Sequence, residues 1–270
     1  MEVIAYKGVK YNVGKFTDVE DQLTVEEAIQ ISINDQPYTV TMRTPGKDPE
    51  LVRGLLYSED IYRGPASDFK MMTTDLNKDG EIIGVNVMVP EEQLGPGYIP
   101  TRNILSVSSC GICGKRELDD IAVDGEALVH SHKINLAILE DMFNKMRASQ
   151  MAFNQSGGCH ASAAFTVGGQ MVDVQEDIGR HNAVDKVIGS LLLKDKLEDV
   201  QCLLVSGRIS YEIVTKAFMA KFPYLASVSA PSTLSVDYAE KLGITLLSFC
   251  RNGKATCYST VSYTHLTLPT

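Results

Sequence analysis

The chain has 270 residues, is 44 % hydrophobic and carries a formal net charge of −9, which gives it enough apolar mass for one large domain or two small ones. Its 34 acidic residues against 25 basic ones exclude a basic footprint for tracking a nucleic-acid backbone and leave room only for a local basic pocket. The N-terminal MEVIAYKGVK has no apolar run resembling a signal peptide, and no segment approaches the roughly 18 apolar residues that span a bilayer, so a soluble cytoplasmic protein with reduced cysteines is expected.

The first predicted element is a hairpin over 28–43. Ile29, Ile31 and Ile33 alternate with polar neighbours, Asn34-Asp35-Gln36-Pro37 turns, and Tyr38, Val40 and Met42 alternate again. Asp48 is placed to cap a helix with Pro49 at its first position and Leu51, Val52, Leu55 and Leu56 as its apolar stripe. A strand at 82–89 leads into EEQLGPGYIP, which holds too many breakers for regular structure. These elements predict a smaller β-rich N-terminal subdomain over 1–105, followed by a mobile loop over 106–134.

From Asn135, a candidate cap, the residues Leu136, Leu139, Met142, Phe143 and Met146 mark one face of a helix. Strands at 159–167 and 171–175 pair around Gly168-Gly169. A helix over 180–193 then leads to a buried-type strand at 201–205, a helix over 210–222, a strand at 224–229, a helix over 233–242 that stops at Gly243, and a strand at 244–249. Alternation of this kind implies right-handed crossovers and a largely parallel, helix-covered sheet, hence an α/β domain over 135–260. The last ten residues, VSYTHLTLPT, have no charged side chain and look like a translated sequencing adapter. The natural chain is then expected to end near Thr260, with no functional weight on His265.

Ligands in such a sheet gather beyond the carboxyl ends of the strands. Ser206-Gly207-Arg208 and Ser229-Ala230-Pro231-Ser232 both follow predicted strands and offer hydroxyls and free N–H groups suited to an anion, or to plain helix capping. Gln175 to Asn182 crowds two acids, Gly179, Arg180 and His181 between a strand and a helix, with His181 readable as a proton shuttle or as a packing group. Gly157-Gly158 before Cys159-His160 allows close backbone approach to a ligand, whereas Cys159 and Cys202 read as core thiols. Phe249-Cys250-Arg251-Asn252-Gly253-Lys254 ends the last long strand with two cations, a solvated turn or a further phosphate contact.

Cys110 and Cys113 form the one Cys-x-x-Cys pair, within SSCGICG. One such pair is half of a tetrahedral zinc site, and His130, His132, Cys159 and His160 are poorly spaced to complete it. A zinc deaminase needs His-x-Glu and Pro-Cys-x-x-Cys; no histidine has Glu two residues on, and Ser109 stands in place of the proline. A thioredoxin-like pair would begin a helix, but breakers follow Lys115. Nucleophilic sulfur chemistry, with a thiolate carrying sulfur as a persulfide beside Lys115 and Arg116, is one option among these.

SSCGICG, GCHASAAF, EDIGRHNAVDK, SGRISYEIVTK, SAPSTLSVDYAEKLGITLLSF and CRNGKATCY follow one another as in the FdhD/NarQ family of formate dehydrogenase accessory sulfurtransferases, which the chain resembles over nearly its whole length. The resemblance implies a cytidine-deaminase-like layered α/β sheet without the zinc. It also implies a homodimer that takes sulfur from a cysteine desulfurase and passes it to the molybdenum cofactor, bis-molybdopterin guanine dinucleotide, before that cofactor enters formate dehydrogenase. The family's persulfide cysteine matches Cys110 and its partner Cys113; its cofactor contacts match Phe249, Cys250, Arg251, Asn252, Gly253 and Lys254. The phosphate-suited turns extend the expected guanine-nucleotide (GDP-like) pocket to Ser206, Arg208, Arg180, His181 and Ser232. Cys159 stands where the family commonly has another residue and adds a third thiol. The competing expectation is a non-catalytic chaperone that binds the cofactor, with the cysteine pair as a metal clip or docking loop.

Overall fold

The structure is a computed structural model that describes residues 2–98, 125–129, 134–260 and 266–267. Cys110, Cys113 and most of the 106–134 loop lie outside the described residues, as do His130, His132 and His265.

The chain opens with a hairpin that the periodicity analysis did not predict. Strand β1 (Val3–Asn12) pairs with β2 (Lys15–Thr24) in ten unbroken rungs, from Val3 opposite Thr24 to Asn12 opposite Lys15. The next hairpin is the predicted one: β3 (Glu27–Ile33) and β4 (Gln36–Arg43) are joined by Asn34 and Asp35, both at positive φ, the geometry of a two-residue type I′ turn. With β5 (Lys70–Leu76) and β6 (Ile82–Met88) they form a sheet ordered β4-β3-β6-β5. Ile29, Ile31, Ile33, Val85 and Val87 point to one face and are covered there by Val52 and Leu56 of helix α1 (Asp48–Ser58). Each such fully buried aliphatic side chain contributes about 1.5–3 kcal/mol relative to exposure.

Asp48 does not cap α1. The flanking position is Lys47, in the left-handed region at φ 60, while Asp48 is the first helical residue and accepts from Arg43 Nε at 2.8 Å. A buried guanidinium next door competes for the carboxylate, so the cap is given up for an ion pair. Burial pushes the Asp48 carboxyl above its usual range, against the pull of Arg43.

The larger sheet has six strands ordered β13-β12-β11-β10-β8-β9. These are β8 (His160–Phe165), β9 (Met171–Asp177), β10 (Cys202–Val205), β11 (Tyr224–Ser227), β12 (Thr245–Arg251) and β13 (Lys254–Ser259). A largely parallel sheet was expected; instead β10, β11 and β12 are parallel while β8, β9 and β13 enter through antiparallel pairings. The reason is local. Gly168-Gly169 and Asn252-Gly253 close tight hairpins, and a tight hairpin can join only antiparallel strands. Asn252 (φ 54) and Gly253 (φ 67) sit between the paired Arg251 and Lys254, again as a type I′ turn.

Alternation along these strands feeds two apolar layers. Leu203, Val205, Leu225 and Leu246 pack with residues of α4 (Arg180–Leu193), α5 (Tyr211–Met219) and α6 (Thr233–Lys241). Cys202, Leu204, Tyr224, Ala226 and Leu247 face the other way, onto Leu139, Met142, Phe143 and Met146 of α2 (Leu139–Ala148). Asn135 caps, as expected, but one turn early: its Oδ1 accepts from Ala137 N at 2.9 Å in a short 3-10 turn before α2. A short helix, α3 (Met151–Ser156), follows α2. Two residues of the adapter-like tail, Leu266–Thr267 (β14), pair in parallel with Ile134–Asn135 (β7).

Helix α1 crosses α4 backbone to backbone. A Cβ on Gly54 would lie 1.8 Å from the Asp185 carbonyl oxygen, and one on Gly189 would lie 1.8 Å from that of Glu50. The smaller sheet is thereby docked on the helical layer of the larger one. Ser58 Oγ and Lys216 Nζ converge on the buried Asp185 at 2.7 and 2.8 Å, tying α1, α4 and α5 together.

Candidate functional site

Strands β10, β11 and β12 end at one edge of the large sheet, and the antiparallel β8 begins there. This is the edge at which ligands bind in layered sheets. A cavity of about 580 Å³ opens at this edge on the α2 side, lined by Ser206 after β10, Val228 after β11, Cys250, Arg251 and Asn252 at the end of β12, and Cys159 and His160 at the start of β8. Its opposite wall comes from α2 and α3, with Glu140, Asn144, Arg147 and Phe153. Helix α2 thus has two uses: its apolar stripe seals the core, and its polar flank faces the cavity.

Each polar wall is held from behind. Ser206 exchanges two bonds with Ala161, its Oγ accepting from Ala161 N and its N–H donating to the carbonyl, both at 2.9 Å. Arg147 lies 4.4 Å above the Phe153 ring and donates from Nη1 to Asn154 Oδ1 at 2.6 Å. Glu176 of β9 receives the N–H groups of Ala152 and Phe153, both at 2.8 Å, and so anchors the start of α3 with a carboxylate. Gly157 at φ 69 then ends α3, and the chain turns through Gly158 into the cavity wall.

His160 is half-buried, and burial first, then the Arg180 guanidinium, holds its pKa below the ordinary histidine value. The ring is therefore neutral at pH 7, with one donor and one acceptor nitrogen. Gly207 makes this neighbourhood possible: a Cβ there would meet His160 Nδ1 at 3.1 Å and Arg180 Cβ at 3.7 Å. Arg180 Nε is buried and has no hydrogen-bond partner, which marks a cation behind the cavity with spare donor capacity. Cys159 and Cys250 are 5 % and 4 % exposed. Burial pushes the Cys250 thiol up to about 12 and raises that of Cys159, against a Thr24 hydroxyl contact at 3.4 Å. Both are protonated thiols at neutral pH and unsuited to nucleophilic attack.

Of the residues singled out from sequence, Ser206, Cys250, Arg251 and Asn252 meet at this cavity, together with the Gly157–His160 stretch. The others sit nearby in different roles. Phe249, at φ 55 in an irregular stretch of β12, directs its ring toward Tyr258, 6.3 Å between centroids. Gly253 and Lys254 belong to the type I′ hairpin. Arg208 is exposed beyond β10, and Ser232 caps α6 by accepting from Ser235 N at 3.2 Å. His181 is buried against α5, 3.0 Å from Ser210 Oγ.

The polar run around Asp177 is largely structural. Asp177 accepts from Thr44 N, Gly179 N and Asn182 Nδ2 and pairs with Lys186 at 2.8 Å, a clamp between the β4–α1 and β9–α4 connections. Sequence reasoning missed Asn144 and Arg147, whose helical spacing looks like an ordinary solvated flank. Among the described residues no group of three or more His, Cys, Asp or Glu side chains is placed to hold a metal. No helix there is long and apolar enough to cross a membrane.

The family model described as FdhD/NarQ matches residues 24–264. The chain belongs to the FdhD/NarQ family. Relatives called sulfur carrier protein FdhD include one from Nocardia farcinica, 42 % identical over 243 residues (89 % of this chain and 87 % of that protein). Another, from Sulfolobus acidocaldarius, is 38 % identical over 260 residues, 96 % and 97 % of the two chains. The fold is that of a crystal structure described as a formate dehydrogenase accessory protein from Desulfotalea psychrophila, with a TM-score of 0.73 at 20 % identity, covering 96 % of this chain and 98 % of that one. The FdhD/NarQ match includes every residue that lines the cavity and begins at the foot of the first hairpin.

Proposed function

We propose that the chain is a cytoplasmic sulfur carrier for formate dehydrogenase, and that the cavity at the edge of the large sheet receives one guanine-nucleotide end of the molybdenum cofactor as the acceptor substrate. The observation that carries this reading is the meeting of Ser206, His160, Arg251 and Arg147 around one cavity of about 580 Å³, within the range of small-ligand sites. That volume suits one nucleotide, so a bis-dinucleotide would engage through one end per chain. The fit is chemical as well. Arg147, Arg251, Asn144 and Asn252 present donors, Arg180 keeps an unsatisfied buried Nε behind the wall, and Glu140 is the one carboxylate among the lining groups.

The match of SSCGICG to the family's motif supports Cys110 as the sulfur carrier and Cys113 as its partner. The two thiols that line the cavity are buried and protonated, which suits them to no part in the exchange. In this reading the Cys110 thiolate attacks the sulfane sulfur of a cysteine desulfurase persulfide. The new S–S bond forms as the old one breaks, and the desulfurase thiolate leaves. Attack of Cys113 on Cys110 Sγ then expels hydrosulfide toward the acceptor and leaves a Cys110–Cys113 disulfide, which a cellular dithiol reduces. The cavity's part is to bind and orient the acceptor and to keep its own thiols out of the exchange.

Intact-mass measurement after incubation with a cysteine desulfurase and free cysteine tests this. A reducible gain of about one sulfur atom, absent in Cys110→Ala, is expected. Full formate dehydrogenase activity supported by Cys110→Ala would overturn the carrier role and leave a cofactor-binding chaperone.

A further inference from the structure

The cavity at the edge of the large sheet contains one group ill suited to an anion. Its charged lining groups are Arg147, Arg251 and a single carboxylate, Glu140. A carboxylate held near phosphate oxygens repels them, so in this cavity it has to serve another part of the ligand.

Among the described residues the fold makes no use of Glu140. It is exposed and has neither a hydrogen bond nor an ion pair there, with Arg251 or with any other group. The duties of an acid at the start of α2 fall to its neighbour: Asp141 stands in the same first turn and pairs with Lys145 Nζ at 2.7 Å. The Glu140 carboxylate is instead placed over the Asn252–Gly253 turn, where a Cβ on Gly253 would lie 3.7 Å from its Oε2. Arg147 follows seven residues along α2, two turns and about 10 Å away on the same face. The α2 wall of the cavity therefore offers an acceptor at one end and a cation at the other, spaced as the base and the phosphates of a nucleotide are.

We propose that Glu140 selects guanine, its two carboxylate oxygens accepting from N1–H and from the 2-amino group while the phosphates lie toward Arg147. The inference rests on the nucleotide reading of this cavity and adds which residue chooses the base. Guanine carries these two donors side by side on one edge, and a carboxylate offers two acceptors and no donor. Adenine sets the N1 lone pair at the same place, acceptor against acceptor, and polar groups left unpaired in this way cost binding. Hypoxanthine keeps N1–H but lacks the amine, and xanthine puts an oxygen where the amine stood.

Calorimetric titration of the full chain with GDP, IDP, XDP and ADP tests the assignment. The wild type is expected to bind GDP about tenfold more tightly than IDP, and XDP and ADP more weakly still, at about tenfold for each charge-assisted bond lost. Glu140→Gln should reverse the order of GDP and XDP, because its amide donates from Nε2 to the 2-oxygen of xanthine and still accepts from N1–H at Oε1. A carboxylate acting only as a negative charge near the phosphates gives a different result. Glu140→Gln would then tighten all four nucleotides alike and leave their ratios unmoved, which would overturn the proposal. A wild type that binds GDP and ADP equally would also overturn it, with the nucleotide reading left standing; a wild type that binds none of the four would overturn both.

Discussion

Lys186 Nζ lies 2.8 Å from Asp177 Oδ2, and neither side chain is more than 1 % exposed. The same ammonium donates to the Thr44 carbonyl at 2.9 Å, and the same carboxylate oxygen accepts from Thr44 N at 3.1 Å. One buried pair thereby holds the entry to α1 against the entry to α4. Removing one charge strands the other, so Lys186→Met should cost about 3–5 kcal/mol in urea denaturation. Lys186→Met/Asp177→Asn should recover part of that loss; a single variant as stable as wild type would refute the clamp.

The α1–α4 crossing gives a second prediction. A methyl group on Gly54 or Gly189 would overlap a carbonyl oxygen of the facing helix, and helix backbone cannot swing aside as a flexible side chain does. Gly54→Ala and Gly189→Ala should each cost about 3 kcal/mol or more, at the upper end of overpacking effects. At Gly168 an added Cβ would make only an ordinary 3.8 Å contact. Gly168→Ala should therefore stay within about 0.5 kcal/mol of wild type. Thermal melts of the three variants check the contrast.

His160 makes stability depend on pH. Its folded pKa lies below the unfolded value, so as pH falls through about 6.5 the unfolded chain takes up a proton before the folded one does. Stability contributed by the neutral ring is full above that pH and declines below it, levelling off once the folded-state pKa is passed. The wild-type urea midpoint should drop more between pH 7.5 and pH 5.5 than that of His160→Gln. The difference between the two proteins isolates this residue from the buried Asp48 and Asp185. Parallel slopes would show that the ring titrates normally.

Thiol accessibility separates the described cysteines. Cys159, Cys202 and Cys250 are buried, with burial raising all three thiols, while Cys257 is exposed on β13. Under native conditions an alkylating agent should label Cys257 first among these four, with the other three reacting only on unfolding. Peptide mapping after a short pulse reads this directly.

For ligand binding the geometry divides the arginines. Arg147 and Arg251 line the cavity, whereas Arg208 is exposed on the turn after β10 and is not one of the lining residues. Arg147→Ala and Arg251→Ala should each weaken GDP binding by about tenfold, the scale of one charge-assisted contact, and Arg208→Ala should leave it unchanged. Calorimetric titration decides between this assignment and one that uses the whole SGR turn.

Much of the fold can be read along the chain because its signals are local. The alternation of Ile29, Ile31 and Ile33, the pairing around Gly168-Gly169, and the α4 span of 180–193 each depend on residues a few positions apart, and all appear where expected. The β1–β2 hairpin escaped because Tyr6, Val9, Tyr11 and Phe16 are spread over both faces among charges, giving no clean two-residue period. Asp48 was misread as a cap for a different reason: Arg43, which claims its carboxylate, follows from the fold of β4 and from no local rule.

The sequence by itself determined the family, through motifs whose order survives without any knowledge of their spatial arrangement, and it determined the strand-end segments from which the cavity is built. Only the tertiary structure decided which of those segments use their polar groups on each other. Asp177, Ser232 and His181 looked equivalent to Ser206 and Arg251 in sequence. The first three are engaged by backbone and side-chain partners away from the cavity, whereas Ser206, though its Oγ accepts from Ala161 N, and Arg251 both line the cavity. A polar residue's availability depends on what packing places within about 3 Å of it, and that includes partners such as Thr44 for Asp177 that lie more than a hundred residues away in the chain.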